Sequence, residues 1–151
     1  AHMMLGMIYE SRKQYDQAQA RYQEAVNINP RFAPAANNLA WLMMERGGNV
    51  DVALGYAQTA REMTPTDPSI ADTLGWLYYQ KKAYLRALSM LEEAVQKLPD
   101  NPVVLHHYGM ALYKNEKKPE ARKALEKSLQ LNANHSGAAE AKAALAELSS
   151  P

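Results

Sequence analysis

The sequence predicts an all-α array of repeated helix pairs, and three observations carry that expectation. Small residues and prolines recur at a fixed interval. Ala18, Ala53, Ala87 and Ala121 stand 35, 34 and 34 residues apart, and Ala25, Ala60, Ala94 and Ser128 keep the same steps. Pro30, Pro65 and Pro99 are spaced by 35 and 34, while Gly6, Ala40, Gly75 and Gly109 step by 34, 35 and 34. One register with one extra residue near Gly47-Gly48 accounts for all four series, and a period of this size marks stacked supersecondary units. Between the prolines, the apolar residues follow the helical period of 3.6 rather than alternation. The composition agrees: 47% of the residues are apolar, Ala is frequent, there is a single Phe, and β-branched residues in alternation are scarce.

Residues 1–3, Ala-His-Met, have the look of an expression-tag remnant. The helical pattern is already under way at residue 4, as in a fragment of a longer protein. The units that follow are 4–32, 33–67, 68–101 and 102–135, with a last helix over 136–151. The third unit shows how each is built. Asp67 can cap a helix start and Pro68 fits its first turn, where a missing N–H costs little. Leu74, Trp76 and Tyr78 carry this helix to about Lys82. A second helical run goes from Tyr84 through Ala87, Leu88, Leu91, Ala94 and Val95 to Leu98. Pro99-Asp100-Asn101-Pro102 ends it, because proline cannot continue a helix. Gly75 and Ala87 fall where the helices of a pair approach each other, and Ala94 where one pair meets the next. A large side chain at any of them would force the helices apart. In the tail, Ala138, Ala141, Leu145 and Leu148 form a thin apolar stripe, with Glu140, Lys142 and Glu147 expected to point outward. That suits a terminal capping helix.

Charge and chemistry narrow the function. Lys plus Arg is 17 and Asp plus Glu is 16, a net charge of +1, which lacks the basic excess of a general nucleic-acid binder. There is no cysteine, hence no disulfide and no thiolate chemistry. No apolar run approaches the roughly 18 residues of a membrane span, and no signal peptide is visible. Cytoplasm and bacterial periplasm or cell envelope both stay open as compartments. Nucleophile–base pairs, phosphate-binding loops and other catalytic motifs are missing, so the expectation is a non-enzyme without a cofactor. His106 and His107 are adjacent, about 100° apart on a helix, and cannot share one metal ion. Glu92, Glu93 and Glu116 lie among lysines as solvated charge.

The repeated pattern resembles the tetratricopeptide repeat (TPR) family, whose 34-residue unit has the form W-x2-L-G-x2-Y, then A-x3-F, then a late Ala and Pro. The best-matching unit is "LGWLY" with Tyr84, Ala87, Leu91, Ala94 and Pro99. "LGMIY" with Tyr15, Ala18, Tyr22, Ala25 and Pro30 matches in the first unit. Leu39, Ala40, Val50, Ala53, Ala60 and Pro65 match more loosely in the second. Tyr108, Gly109, Leu112, Ala121, Leu125 and Ser128 carry the fourth, where Lys118 replaces the usual aromatic residue and Ala133 the proline. The resemblance implies a right-handed α-solenoid of four TPR helix pairs plus a C-terminal capping helix. It also implies a protein or peptide partner. "NNLAW" and "DTLGW" are similar to phrases in bacterial TPR proteins of cell-envelope or exopolysaccharide assembly.

The register then sorts the aromatic residues. In a stacked array the first helix of each unit lines the concave face. Leu74, Gly75 and Tyr78 are core by their match to the pattern. Trp76 is about 200° around the helix from Leu74 and shares a stripe with Tyr79 and Asp72. Moved by the repeat period, the stripe becomes Asn37, Trp41 and Met44 in the second unit. In the fourth it becomes His106, Met110 and Tyr113, and in the first Met7 and Glu10. The expected groove has a floor of Met7, Trp41, Trp76 and Met110. Beside it run a row of Met44, Tyr79 and Tyr113 and a polar row of Asn37, Asp72 and His106. Ala36 and Ala71, not Trp41 and Trp76, occupy the family's own Trp position. Such a floor suits a peptide or helical segment, since Trp, Tyr and Met serve as interface anchors. The competing expectation is that both Trp side chains are simply buried. The carboxylate clamp of co-chaperone TPR domains is excluded: its places hold Met3, Met7, Asn38, Ser69 and Thr73, and only Asn38 fits. Two alternatives remain: a spacer or self-association segment of a longer solenoid, and the partner-binding part of a larger enzyme such as a glycosyltransferase.

Overall fold

A computed structural model of the chain describes residues 1–150, which are helical with no strand among them. Helix α1 (His2–Ser11) precedes α2 (Tyr15–Ile28), and α3 (Ala33–Glu45) precedes α4 (Val50–Met63). Then come α5 (Pro68–Gln80), α6 (Tyr84–Lys97), α7 (Pro102–Lys114), α8 (Lys118–Leu131) and α9 (Ala138–Ser149). The packing separates into two compact units, Ala1–Leu77 and the residues from Tyr78 onward, with the division inside α5. His2 and Met3, expected to be tag residues, form part of α1, and His2 Nδ1 lies 2.9 Å from Glu24.

Every turn within a helix pair is built the same way. Lys13, Gly47, Lys82 and Glu116 take left-handed backbone conformations, with φ of 59°, 71°, 63° and 60°. The next residue's N–H reaches back five positions: Gln14 to Tyr9 O and Gly48 to Met43 O at 2.8 Å, Ala83 to Tyr78 O at 2.9 Å, Lys117 to Leu112 O at 3.0 Å. These are Schellman closures, which satisfy carbonyls that a helix end would otherwise leave bare. The left-handed residue costs a non-glycine side chain roughly 1–2 kcal/mol, and only Gly47 escapes that cost. Lys82 in this conformation also corrects the expected end of the third unit's first helix: α5 stops at Gln80. The extra residue of the register lies in the α3–α4 turn, which spans 46–49 where the other pairs use 12–14, 81–83 and 115–117. There Asn49 caps α4, accepting the Val52 N–H at 3.1 Å.

The helix starts after Pro65 and Pro99 are capped by side-chain acceptors, whereas α3, after Pro30, has Phe32 at its N-cap and no side-chain cap. Asp67 accepts the Ser69 N–H at 2.8 Å, as its position predicts. Asn101 accepts from Val103 and Val104 at 3.0 and 3.2 Å. Each such cap contributes about 1 kcal/mol.

The cores are made of small residues at the repeat positions. Ala18, Ala53, Ala87 and Ala121 have no exposed surface. In the first unit α1 lies so close to α2 at Gly6 that any Cβ there would overlap the Tyr22 ring. In the compact unit from Tyr78 onward a Cβ on Gly109 would sit 2.6 Å from Leu125 Cδ2, so α7 and α8 cross at that glycine. Ala87, Leu88, Leu91, Ala111, Leu112, Ala121 and Ala124 form one cluster, edged by Tyr78, Tyr79 and Tyr108. Enlarging a fully buried alanine in this cluster forces strain. Ala87→Leu is expected to lower stability by roughly 1–3 kcal/mol, read as a lower thermal midpoint by circular dichroism. A melt equal to wild type would contradict the close approach at that position.

Candidate partner-binding surface

The open part of the expected groove lies in the compact unit Ala1–Leu77. Met7 on α1 is 53% exposed, and Asn37, Trp41 and Met44 on α3 are half-buried. Trp41 lines a recess of about 270 Å³ together with Glu10, Tyr15, Leu42, Glu45 and Arg46. A shallower recess of about 470 Å³ is lined by Met7, Glu10, Ser11, Tyr15 and Asn38, so the two share Glu10 and Tyr15. Their walls are mixed: Tyr15, Trp41, Leu42 and Met7 stand among Glu10, Glu45, Arg46, Ser11 and Asn38. Glu10 accepts a hydrogen bond from the Tyr22 hydroxyl at 2.5 Å, which fixes its side chain. Arg46 is engaged as well. Its Nη2 lies 2.6 Å from Asp16 Oδ1, and its guanidinium stands 5.8 Å from the centre of the Tyr15 ring. The Asp16 side chain is 87% exposed, so this pair orients Arg46 more than it stabilises the fold.

An open floor does not extend to Trp76. That side chain is 6% exposed, and Asp72 is buried beside it in sequence. The reason is the whole helix: every residue from Ile70 to Leu77 is buried. Trp76 does point away from Leu74, but no side of that part of α5 meets solvent. The same correction applies to Met110 and His106, at 5% and 3% exposure, on a helix buried from Val104 to His107 and again from Gly109 to Leu112. Tyr79 and Tyr113 are half-buried. The Tyr79 ring meets Tyr84 edge-on, with centroids 5.3 Å apart, and burial raises the pKa of its hydroxyl.

In the compact unit from Tyr78 onward the polar stripe of α7 is taken by α9. His106 Nε2 is 2.8 Å from Glu140 Oε1, and the Tyr113 hydroxyl donates to the Glu147 carboxylate. Glu140 and Glu147 are seven residues apart, two turns of one helix face. Each follows its partner by 34 residues, so they continue the α7 rows onto the next helix. Their expected outward orientation is thereby corrected: both are exposed, yet both reach back to α7. Adding one repeat step to His106 and Tyr113 would have found them. The hydrogen bond from His106 holds the Glu140 carboxyl below its usual range, and the bond to Glu147 raises the Tyr113 pKa. Gly137 lies flat against His106, where any Cβ would overlap the imidazole. The apolar stripe of α9 is also shifted: Ala138, Ala141 and Ala144 are buried, while Leu145 and Leu148 are half-buried. The rings of His106, His107 and His135 gather at centroid separations of 5.3 and 5.5 Å. Among the described residues no set of three ligand-type side chains converges as a metal site. No helix among them is long and apolar enough to cross a membrane.

Comparison with known proteins places this architecture. Residues 10–77 and 78–148 each match the tetratricopeptide repeat family. The type IV pilus assembly protein PilF of Pseudomonas aeruginosa is 27% identical over 136 residues, 89% of this chain and 54% of PilF. The TPR repeat-containing protein PA4667 of the same organism is 28% identical over 100 residues, 66% of this chain and 17% of that protein. The solved PilF structure superposes with a TM-score of 0.75 at 26% identity, over 97% of this chain and 65% of that one. A thermophilic TPR protein of Thermus thermophilus superposes with a TM-score of 0.74 at 24% identity, over 97% of this chain and 79% of that one, a likeness of fold alone. The chain thus spans about half the length of PilF and less than a fifth of PA4667. The fold class is the all-α TPR solenoid, an architecture of protein-interaction modules. With two matches that together run from residue 10 to residue 148, the chain belongs to the tetratricopeptide repeat family.

Proposed function

We propose that this chain is a non-catalytic interaction module that binds a peptide or helical segment of a protein partner on its compact unit Ala1–Leu77, with Trp41 as the anchor. The observation that carries this reading is the recess beside Trp41, walled by Tyr15 and Leu42 and continued by Met7 and Asn38. A half-buried Trp beside a cavity suits a partner side chain: it offers a large apolar face at little conformational cost. Asn37, Asn38, Glu10 and Glu45 can hold the polar backbone or side chains of that segment in register. The ligand is accordingly amphipathic, with an apolar side chain for Trp41 and polar groups for the rim residues. The likeness to PilF favours a scaffolding role in assembly of a cell-envelope structure, within a longer protein or complex.

The test uses a peptide selected from a random library for binding to the intact chain. Isotope-labelled protein titrated with that peptide should show its largest amide shifts at Met7, Asn37, Trp41 and Met44. Shifts confined to the outer helices α2 and α4 would contradict the reading.

A further inference from the structure

His135 lies in the 132–137 turn between α8 and α9, is buried, and uses both of its ring nitrogens. The Ser128 hydroxyl donates its one proton to Leu125 O at 2.8 Å. In the 3.2 Å contact between Ser128 Oγ and His135 Nε2 the ring nitrogen is therefore the donor. On the other side of the ring the Gly137 N–H donates to Nδ1 at 3.0 Å. The two contacts select one neutral tautomer, with its proton on Nε2 and its lone pair on Nδ1. A further proton has room only on Nδ1, where it would face the Gly137 N–H. Gly137 is the residue from which α9 starts, and it is pressed against His106. Ser128 is also the repeat position at which the preceding units carry alanine. Its hydroxyl serves this turn.

We propose that His135 is an acid-sensitive latch. Neutral, it docks α9 against α7 and α8; protonated, it releases α9 and uncovers His106, Met110 and Tyr113. The other hydrogen bonds that hold α9 are His106–Glu140, Tyr113–Glu147 and two from Arg122, to Leu148 O at 2.6 Å and to Ser149 Oγ at 3.3 Å. The groups facing His135 make its cation unwelcome. From α7 come His106 and His107, from α9 Lys142, and from α8 the neutral Ser128. The Glu140 carboxylate borders this cluster, and its hydrogen bond is spent on His106. Burial first, then the neighbouring imidazoles and the Lys142 ammonium, hold the His135 pKa below its ordinary value.

The sign follows by linkage. Undocked, His135 titrates near an ordinary pKa of about 6.5. Docked, it titrates lower, so the undocked state binds more protons in between. Docking is at full strength above the ordinary value and weakens as the pH falls through it toward the docked pKa.

The experiment is a titration of the intact labelled chain from pH 8 to pH 5. It reads the ring-nitrogen shifts of His135 and the Cα shifts of residues 138–149. In wild type the docking equilibrium should fall by up to about tenfold per pH unit within that window, with α9 and His135 sharing one midpoint. His135→Asn should keep α9 docked throughout, because its side-chain oxygen can accept the same N–H two residues on and does not titrate. His106→Gln should retain the transition. The proposal is overturned if wild-type α9 shifts stay constant to pH 5, if α9 is released at a midpoint different from that of His135, or if His135→Asn shows the wild-type transition. The consequence for partner binding rests on the proposed groove, whereas the latch is read without any partner.

Discussion

Trp76→Ala should cost the fold about 3–5 kcal/mol, the usual range for truncating a buried Trp. The side chain is 6% exposed and sits in an unbroken run of buried residues, so its removal leaves a void that a helix buried all round cannot collapse to fill. Part of the loss is recovered, since alanine is the better helix former by about half a kcal/mol. The measurement is a urea titration followed by circular dichroism, with the midpoint moving to lower denaturant at an unchanged slope. A midpoint within error of wild type would show that Trp76 is free to leave its site, and would restore the open floor that the repeat register alone suggests.

Trp41→Ala should behave in the opposite way. Trp41 is one repeat earlier at the same register position, yet it is half-buried and opens onto a recess. Its truncation should cost the fold less than that of Trp76, about 2 kcal/mol, since part of the residue already meets solvent. Binding of a library-selected peptide should weaken by about 2 kcal/mol or more, about 30-fold in Kd. Val52→Ala is the control, an exposed apolar residue of the outer helix α4, and should leave the affinity as it was. The pair of Trp variants therefore separates anchoring from packing at two equivalent positions.

The repeat was readable because close helix packing admits only small side chains at a few registers, and those registers survive in sequence as Ala18, Ala53, Ala87 and Ala121. Chain turns were only partly readable. Gly47 advertises a left-handed residue, but Lys13, Lys82 and Glu116 adopt the same conformation without any compositional sign. There the Schellman hydrogen bonds override the residue's own preference. The groove was readable as a set of rows and not as an exposed surface. Angular reasoning on one helix shows which residues avoid the Leu74 face, but burial depends on how many sides of that helix are covered. On α5, from Ile70 to Leu77, all of them are. The near-continuous apolar run from Leu74 to Tyr79 is the trace of this in sequence, since a helix apolar all round is a buried one. Glu140 and Glu147 escaped notice for a different reason. A capping helix invites the assumption that its charged residues face water, although the same 34-residue step that relates Trp76 to Met110 relates His106 to Glu140 and Tyr113 to Glu147.

Trp41 is the residue proposed to meet a partner. Isothermal titration of the selected peptide into wild type, Trp41→Ala and Val52→Ala tests it most directly, with each protein first shown to be fully folded at the working temperature. The prediction is an affinity loss of about 30-fold for Trp41→Ala alone. Equal affinity for all three proteins would contradict it.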